Sequence, residues 1–170
     1  MKDILDIIKS RRSVRRYSDK VPSKADIEKI LEAGSWAPSG LNNQPWRFLP
    51  ISDKKKKEGL AGFTKYGDII RNAPLAIVVT IAMSNSYNRD KDIMAVGACI
   101  QSMLLEAHSL GLCSCWLGEI LNKKKEVSEY LDLDPDLELM AVVTLGYPKE
   151  RGGKGERKPL KELIIGTLKI

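Results

Sequence analysis

The chain has 170 residues, of which 43% are hydrophobic, so we expect one folded domain over residues 1–170 and exclude an intrinsically disordered chain. Its 28 lysines and arginines outnumber its 22 acidic residues, which gives a formal net charge of +6. This excess favours an anionic partner, such as a nucleic acid, an anionic membrane surface or a phosphorylated cofactor.

The first fifty residues predict two helices and a strand. Apolar residues with helical spacing start a short helix at Ile4. A second helix follows an N-cap at Ser23 and ends at Gly34. Residues 37–43 are turn-forming, and residues 44–52 form a strand with a proline near each end.

The second half of the chain alternates strands and helices. The run Leu75–Ala82 is apolar and rich in β-branched residues, which is typical of a central strand buried on both faces. Residues 89–110 keep a helical spacing of apolar side chains and predict the longest helix. A strand at 113–117, a helix at 123–131 and a strand at 138–145 complete the pattern. The sum is an α+β domain with about four strands and about five helices.

The cysteines, the single histidine, the apolar runs and the lysine runs indicate no specific function. Cys99, Cys113 and Cys115 have no spacing that suits zinc or a disulfide framework, so neither is expected. His108 is interpreted as a residue on the surface of the long helix. The longest apolar run is too short to span a bilayer, and the acidic N-terminus does not fit a signal peptide, so we expect a cytoplasmic protein with no membrane partner. The lysine runs 54–57 and 123–125 are interpreted as solvated faces or helix ends.

A basic segment near the N-terminus is the first candidate site. Residues 11–15 read Arg-Arg-Ser-Val-Arg. In an extended chain Arg11, Ser13 and Arg15 project to one side, where the guanidinium groups can bind a phosphate. The alternatives are a solvated basic patch and a nucleic-acid contact.

Two further segments combine glycine with polar side chains. Residues 37–46, Ala-Pro-Ser-Gly-Leu-Asn-Asn-Gln-Pro-Trp, can present N–H groups and amides to a planar polar ligand, although a plain turn uses the same residues. Residues 115–119, Cys-Trp-Leu-Gly-Glu, follow a predicted strand, and the glycine leaves room for a flat ring beside the main chain.

In this order the three segments resemble the nitroreductase family of FMN-dependent oxidoreductases. The stretch at 107–118 and Arg-Lys-Pro-Leu at 157–160 extend the resemblance to nearly the whole chain. It implies a nitroreductase-like α+β fold with a central mixed or antiparallel sheet flanked by helices, assembled as an intertwined homodimer. It also implies FMN at the subunit interface, no metal and no catalytic side chain, because the chemistry occurs at N5 of the flavin.

The same resemblance implies the FMN contacts. The segment around Ser13 and the tail would bind the phosphate and the ribityl chain of FMN. The guanidinium of Arg15 would lie near the N1 and C2 edge of the flavin. The loop around Gly40, from the second subunit, covers the ring, and the main chain at 117–118 contacts the N5 and O4 region. The full set is Arg11, Arg12, Ser13, Arg15, Pro38, Ser39, Gly40, Asn42, Trp116, Leu117, Gly118, Glu119 and Arg157.

The implied activity is hydride transfer from NAD(P)H through FMN to a small acceptor, a nitroaromatic or a quinone, with ping-pong kinetics. Alternatives are a reductive dehalogenase, a flavin-fragmenting enzyme and a flavin-binding or nucleic-acid-binding protein without turnover. We expect no nucleic-acid partner, because no recognition element is present. Residues 53–72 and 84–89 are expected to be only compact connections, so the acceptor stays open, as does the role of Asn85, Asn88 and Arg89 at the flavin edge.

Overall fold

The computed structural model describes residues 3–150 and 152–166. In this part of the chain an antiparallel sheet of four strands, in the order β1-β2-β4-β3, lies between two layers of helices. The strands are β1 (Trp46–Ile51), β2 (Leu75–Ala82), β3 (Cys113–Leu117) and β4 (Leu137–Gly146). The helices are α1 (Ile4–Ser10), α2 (Lys24–Ser35), α3 (Lys54–Ala61), α4 (Gly67–Asn72), α5 (Arg89–Ser109), α6 (Lys124–Leu131) and α7 (Leu160–Leu163). The predicted α+β class is confirmed.

Strand β2 forms the centre of the core. Every residue of β2 is buried, as its unbroken apolar run predicted. Because side chains alternate across a strand, Ile77 packs towards α2 and α5 while Val78 packs into the cluster that α3, α4 and α6 cover. Both faces of the sheet are thus closed by helices.

Helix α5 is the long helix predicted from residues 89–110. It begins at an Asn88 N-cap, whose side chain accepts a hydrogen bond from the N–H of Lys91 at 3.1 Å. Helix α2 crosses it so closely that a Cβ on Gly34 would lie 2.7 Å from Cγ of Met103. Glycine is therefore required where the two helices meet.

The segment 53–72, expected to be a compact connection, folds instead as helices α3 and α4. Asp53 caps α3 by accepting from the N–H of Lys56 at 2.7 Å. The run 54–57 begins α3, so its interpretation as a helix end is confirmed. Lys57 is not solvated, because it is 4% exposed and its ammonium group donates a hydrogen bond to the carbonyl of Ala73. Because four consecutive lysines precede the apolar residues of α3, the sequence does not show the apolar spacing that would predict this helix.

Cys99, Cys113 and Cys115 are buried free thiols. Among the described residues, no helix is both long enough and apolar enough to cross a membrane.

Candidate functional site

The basic N-terminal segment lies beside the edge strand β3. Ser13 forms a parallel bridge with Ser114, and the N–H of Val14 donates to the carbonyl of Ser114 at 3.0 Å. Val14 is buried while Ser13 and Arg15 are exposed, which is the alternation expected of an extended segment. This pairing brings residues 11–15 next to the chain that leaves β3.

Two guanidinium groups come together at this edge. The tail runs close to the N-terminal segment, because Nε of Arg12 donates to the carbonyl of Gly153 at 3.0 Å. Burial lowers the pKa of Arg11, and the positive charges of Arg157 and then Arg12 lower it further. Within residues 3–150 and 152–166, neither Arg11 nor Arg157 forms a salt bridge with a carboxylate. Unneutralised guanidinium groups in one place form a donor set suited to an anion.

Arg12 is oriented differently from its neighbours. Its Nη1 donates to the carbonyls of Lys9 at 2.6 Å and Arg11 at 2.8 Å. Its Nε donates to the carbonyl of Gly153 at 3.0 Å. The Arg12 guanidinium therefore binds the protein's own main chain, and the main-chain or side-chain contact with the cofactor expected of Arg12 stays a prediction.

A cavity of about 180 Å³ opens at the end of β3. Arg15, Trp116, Leu117, Gly118 and Glu119 line it, as do Tyr66, Ile69 and Cys115. A Cβ on Gly118 would meet no atom within 4 Å, so the main chain at this turn is open to a ligand. The structure thus brings residues 116–119 together with Arg15, as the resemblance implied for one half of the site.

The Glu119 carboxylate holds a turn that sequence reasoning missed. Its Oε2 accepts from the hydroxyl of Thr64 at 2.5 Å and from the N–H of Lys65 at 3.3 Å. The hydrogen bond from Thr64 is the main cause that lowers the pKa of Glu119. This contact fixes the turn between α3 and α4 and places Tyr66 at the cavity wall. No local signal marks Thr64, which lies 55 residues from Glu119.

The loop 38–44 is strained and tightly held. Leu41, Asn42 and Gln44 all have positive φ, a conformation unfavourable for residues with a Cβ. The Ser39 hydroxyl accepts from the N–H of Gln44 at 3.0 Å and closes the loop. Such strain persists only where surrounding contacts enforce it.

Those contacts come from a buried carboxylate on α5. Asn43 donates through Nδ2 to Asp92 at 2.7 Å and to the carbonyl of Asn85 at 3.0 Å. Asp92 is 1% exposed and also accepts from Ser86 at 2.6 Å. The Oδ1 of Asn43 is buried without a hydrogen-bond partner in the described part of the chain. Sequence reasoning missed both Asn43 and Asp92 as parts of the site.

The loop and the arginine segment line different cavities. Pro38, Ser39 and Gly40 face Lys91 and Met94 across a cavity of about 270 Å³, and none of the five lines the cavity at Gly118. Asn42 belongs to the same loop. One chain therefore does not gather the two halves of the expected site into one pocket.

The three candidates for the mid-chain contact are occupied within the fold. Asn85 Oδ1 accepts from Arg47 at 3.1 Å, and Asn88 caps α5. Arg89 forms a bidentate ion pair with Glu138. None of the three lines the cavity at Gly118.

Comparison with known proteins gives one consistent family. The model of the nitroreductase family matches residues 8–65 and 60–147. An Archaeoglobus fulgidus protein named as an NADH dehydrogenase/NAD(P)H nitroreductase is 37% identical over 153 residues, covering 88% of each chain. A crystal structure of a Desulfovibrio desulfuricans nitroreductase in complex with FMN has 44% identity and a TM-score of 0.95, covering 100% of this chain and 99% of that one. An iodotyrosine deiodinase from Thermotoga neapolitana is 28% identical over 190 residues, covering 97% of each chain.

Proposed function

Because the chain belongs to the nitroreductase family, we propose that it is an FMN-dependent oxidoreductase that passes a hydride from NAD(P)H to a small acceptor, a nitroaromatic or a quinone. The observation that carries the proposal is the edge at which Arg11 and Arg15, two guanidinium groups without a carboxylate partner in the described residues, lie beside the open main chain at Gly118. A phosphate and a flat ring need these two features side by side.

The donor set fits FMN. Arg11 and Arg157 would bind the phosphate, with the exposed hydroxyl of Ser13 between the phosphate and the ribityl chain. The main chain at Leu117–Gly118 would contact the N5 and O4 region, where no Cβ blocks approach. When bound, FMN supplies two-electron chemistry that no side chain of this protein provides.

The protein's own residues bind, orient and stabilise charge. Arg15 lines the cavity at Gly118, and a fixed cation there would stabilise negative charge at the N1 and C2 edge. Trp116 is 42% exposed beside Glu119, and these two residues would flank the ring. No acid, base or nucleophile is assigned, because hydride transfer needs none.

The second half of the site would come from a second copy of the chain. The loop 38–44 and its surroundings expose large apolar side chains, with Trp36 at 82% and Leu41 at 85%. Met94 on α5 lines a cavity with Pro38 and Gly40 and is exposed, and Ile4, Leu5 and Ile8 on α1 are further exposed apolar side chains. A homodimer would bury these residues and bring Pro38, Ser39, Gly40 and Asn42 over the ring bound by the partner.

Reduction of the bound flavin tests the proposed activity. Protein reconstituted with FMN is titrated with NADH or NADPH without oxygen, and the flavin absorbance should bleach. Adding a nitroaromatic or a quinone should restore it, and initial rates at several acceptor concentrations should give the parallel double-reciprocal lines of a ping-pong reaction. A flavin that neither nucleotide bleaches would contradict the proposal and indicate binding without turnover.

The deiodinase relative supports a second candidate, reductive dehalogenation. Iodotyrosine and a nitroaromatic can be compared as acceptors at equal concentration. Iodide release faster than nitro reduction would favour the dehalogenase.

Dimer formation has its own test. Met94→Glu places a charge on the proposed interface and should yield a monomer that binds FMN weakly. Met83→Glu, at a residue that is also exposed but lies after β2, is the matched control and should stay dimeric. A Met94→Glu monomer with unchanged FMN affinity would show that one chain holds the cofactor alone.

A further inference from the structure

Arg12 joins two parts of the chain that lie 141 residues apart. Its three hydrogen bonds go to carbonyls at the end of α1, those of Lys9 and Arg11, and to the carbonyl of Gly153 in the tail. Hydrogen bonds from a charged donor are stronger than those between neutral groups, and the planar guanidinium fixes their directions. The side chain is therefore a rigid link between the N-terminal segment and the tail.

The tail wraps so closely around this side chain that two glycines touch it. A Cβ on Gly152 would lie 2.7 Å from Cβ of Arg12, and a Cβ on Gly155 would lie 2.6 Å from its Cζ. Gly153, between them, has nothing within 4 Å of the same position. A methyl group at 152 would meet the Cβ of Arg12, and one at 155 would push the Arg12 guanidinium away from its carbonyls, whereas position 153 has room for a methyl group.

This path brings a second cation to the first. Gly155 lies against the guanidinium of Arg12, and Arg157 follows it by two residues, so the tail carries Arg157 towards Arg11, the neighbour of Arg12. In keeping with this path, the charge of Arg157 lowers the pKa of Arg11. Two guanidinium groups repel each other, so their proximity needs other contacts that hold the two segments together. In the described part of the chain, the hydrogen bond from Nε of Arg12 to the carbonyl of Gly153 joins residues 9–12 to the tail, and the two bonds from Nη1 fix the guanidinium that donates it.

We propose that Arg12 is a positioning residue that, through the tail wrapped around it at Gly152 and Gly155, holds Arg157 beside Arg11 as a two-guanidinium clamp for the FMN phosphate. The inference rests on the proposed function, since the phosphate is that of FMN. In this proposal the Arg12 guanidinium, held by three carbonyls, acts on the phosphate through the placement of Arg157.

A comparison of FMN with riboflavin isolates the phosphate, because riboflavin has the same ring and ribityl chain without it. Affinities are measured by flavin fluorescence on the full chain stripped of flavin. Arg12→Ala should weaken FMN binding by about tenfold, because the displaced Arg157 loses its charge-assisted hydrogen bond to the phosphate. The same change should leave riboflavin binding within about twofold. Arg12→Lys should behave like Arg12→Ala, because an amine cannot span three carbonyls. Arg16→Ala, which removes an exposed arginine paired with Glu150 at 3.6 Å, is the charge-matched control and should change neither affinity.

A double-mutant cycle tests whether Arg12 acts through Arg157. In an Arg157→Ala background, Arg12→Ala should weaken FMN binding by no more than about twofold further. The glycines give an independent comparison with the same substitution. Gly155→Ala should weaken FMN binding by about five- to tenfold, whereas Gly153→Ala should leave it within about twofold.

The outcomes separate this inference from the proposed function. A folded, unmodified protein that binds no FMN overturns both. If the unmodified protein binds FMN tightly, either of two results overturns the inference alone. One is that the losses of FMN affinity from Arg12→Ala and Arg157→Ala add in full, and the other is that Arg12→Ala weakens riboflavin binding as much as FMN binding. Should Arg12→Ala fail to fold, equal FMN affinities of Gly155→Ala and Gly153→Ala would overturn it as well.

Discussion

Asp92→Asn tests how the strained loop 38–44 is held. The buried carboxylate accepts from Asn43 through Oδ1, and from Ser86, Tyr87 and Asn88 through Oδ2, at 2.6 to 3.3 Å. Asparagine keeps the shape, but one oxygen becomes an amide that can only donate. Because three donors meet Oδ2, the remaining oxygen should stay there, and the new amide should face the amide of Asn43.

The expected loss follows from that pair of donors. A buried donor without an acceptor costs about 1–3 kcal/mol, and removing a negative charge from the first turn of α5 costs roughly 0.3–1 kcal/mol more. Asn43 can relieve the conflict by turning its amide, because its Oδ1 has no partner, but it then gives up its bond to the carbonyl of Asn85. We expect Asp92→Asn to lower the free energy of unfolding by about 2–3 kcal/mol and the Tm by roughly 5–10 °C.

The stability difference between the unmodified protein and Asp92→Asn should also depend on pH. Burial raises the pKa of Asp92, but hydrogen bonds from Ser86 and Asn43 outweigh it and hold the pKa below its ordinary value of 3.8. A depressed carboxylate pKa contributes stability that is present above the unfolded value and lost as the pH falls. The gap between the unmodified protein and Asp92→Asn should therefore narrow below about pH 4.

Thermal and urea unfolding at pH 7 and pH 3 measure both effects. Asp90→Asn, at an exposed residue in the same helical turn, is the control and should change the midpoint little. Equal midpoints for the Asp92 and Asp90 variants, or a gap that persists in acid, would refute the role given to the buried carboxylate.

Three further substitutions probe the packing. Glu138→Gln should cost about 1–2 kcal/mol at neutral pH, because the hydrogen bond from Arg89 holds the pKa of Glu138 at about 2; the cost should disappear as the pH falls from 4.5 towards that value, as urea midpoints would show. Gly67→Ala would press a Cβ against the carbonyl oxygen of Ala61, so we expect the free energy of unfolding, measured with urea, to fall by about 2–3 kcal/mol. Gly153→Ala, at a glycine with no atom near the Cβ position, should leave it unchanged. Burial lowers the pKa of Lys57, so the unfolded state binds more protons as the pH rises towards 10.5; the unmodified protein should gain stability relative to Lys57→Met over that range, and a constant difference would contradict this assignment.

Long periodic segments made much of the fold predictable. Strand β2 and helix α5 appear where their apolar patterns placed them, since each is long enough for its period to be unambiguous. The segment 53–72 was not predictable in this way. Its helices are short, and four consecutive lysines at 54–57 mask the apolar face completed by Leu60 and Ala61.

The candidate site also has a part that the sequence predicts and a part that it does not. Residues 11–15 and 115–119 are visible in the sequence because their glycine and arginine patterns are local, and the bridge between Ser13 and Ser114 brings them together. The contacts that hold the site are not local. Asp92 is 49 residues from Asn43, and the guanidinium of Arg12 resembles its neighbours in sequence but points to main-chain carbonyls. Only the fold reveals such partners.

The distribution of charge decides which anion the +6 excess serves. Lys123, Lys124 and Lys125 pair with Glu126, Glu138 and Glu129, so that run is neutralised within the fold. In the described residues, Arg11, Arg15 and Arg157 have no carboxylate partner. A nucleic acid requires positive charge spread along an extended surface, whereas a phosphate requires it concentrated at one point. Arg11 and Arg15 lie at the edge formed by residues 11–15 and β3, beside the cavity at Gly118, and this favours a small phosphorylated cofactor over a polymer.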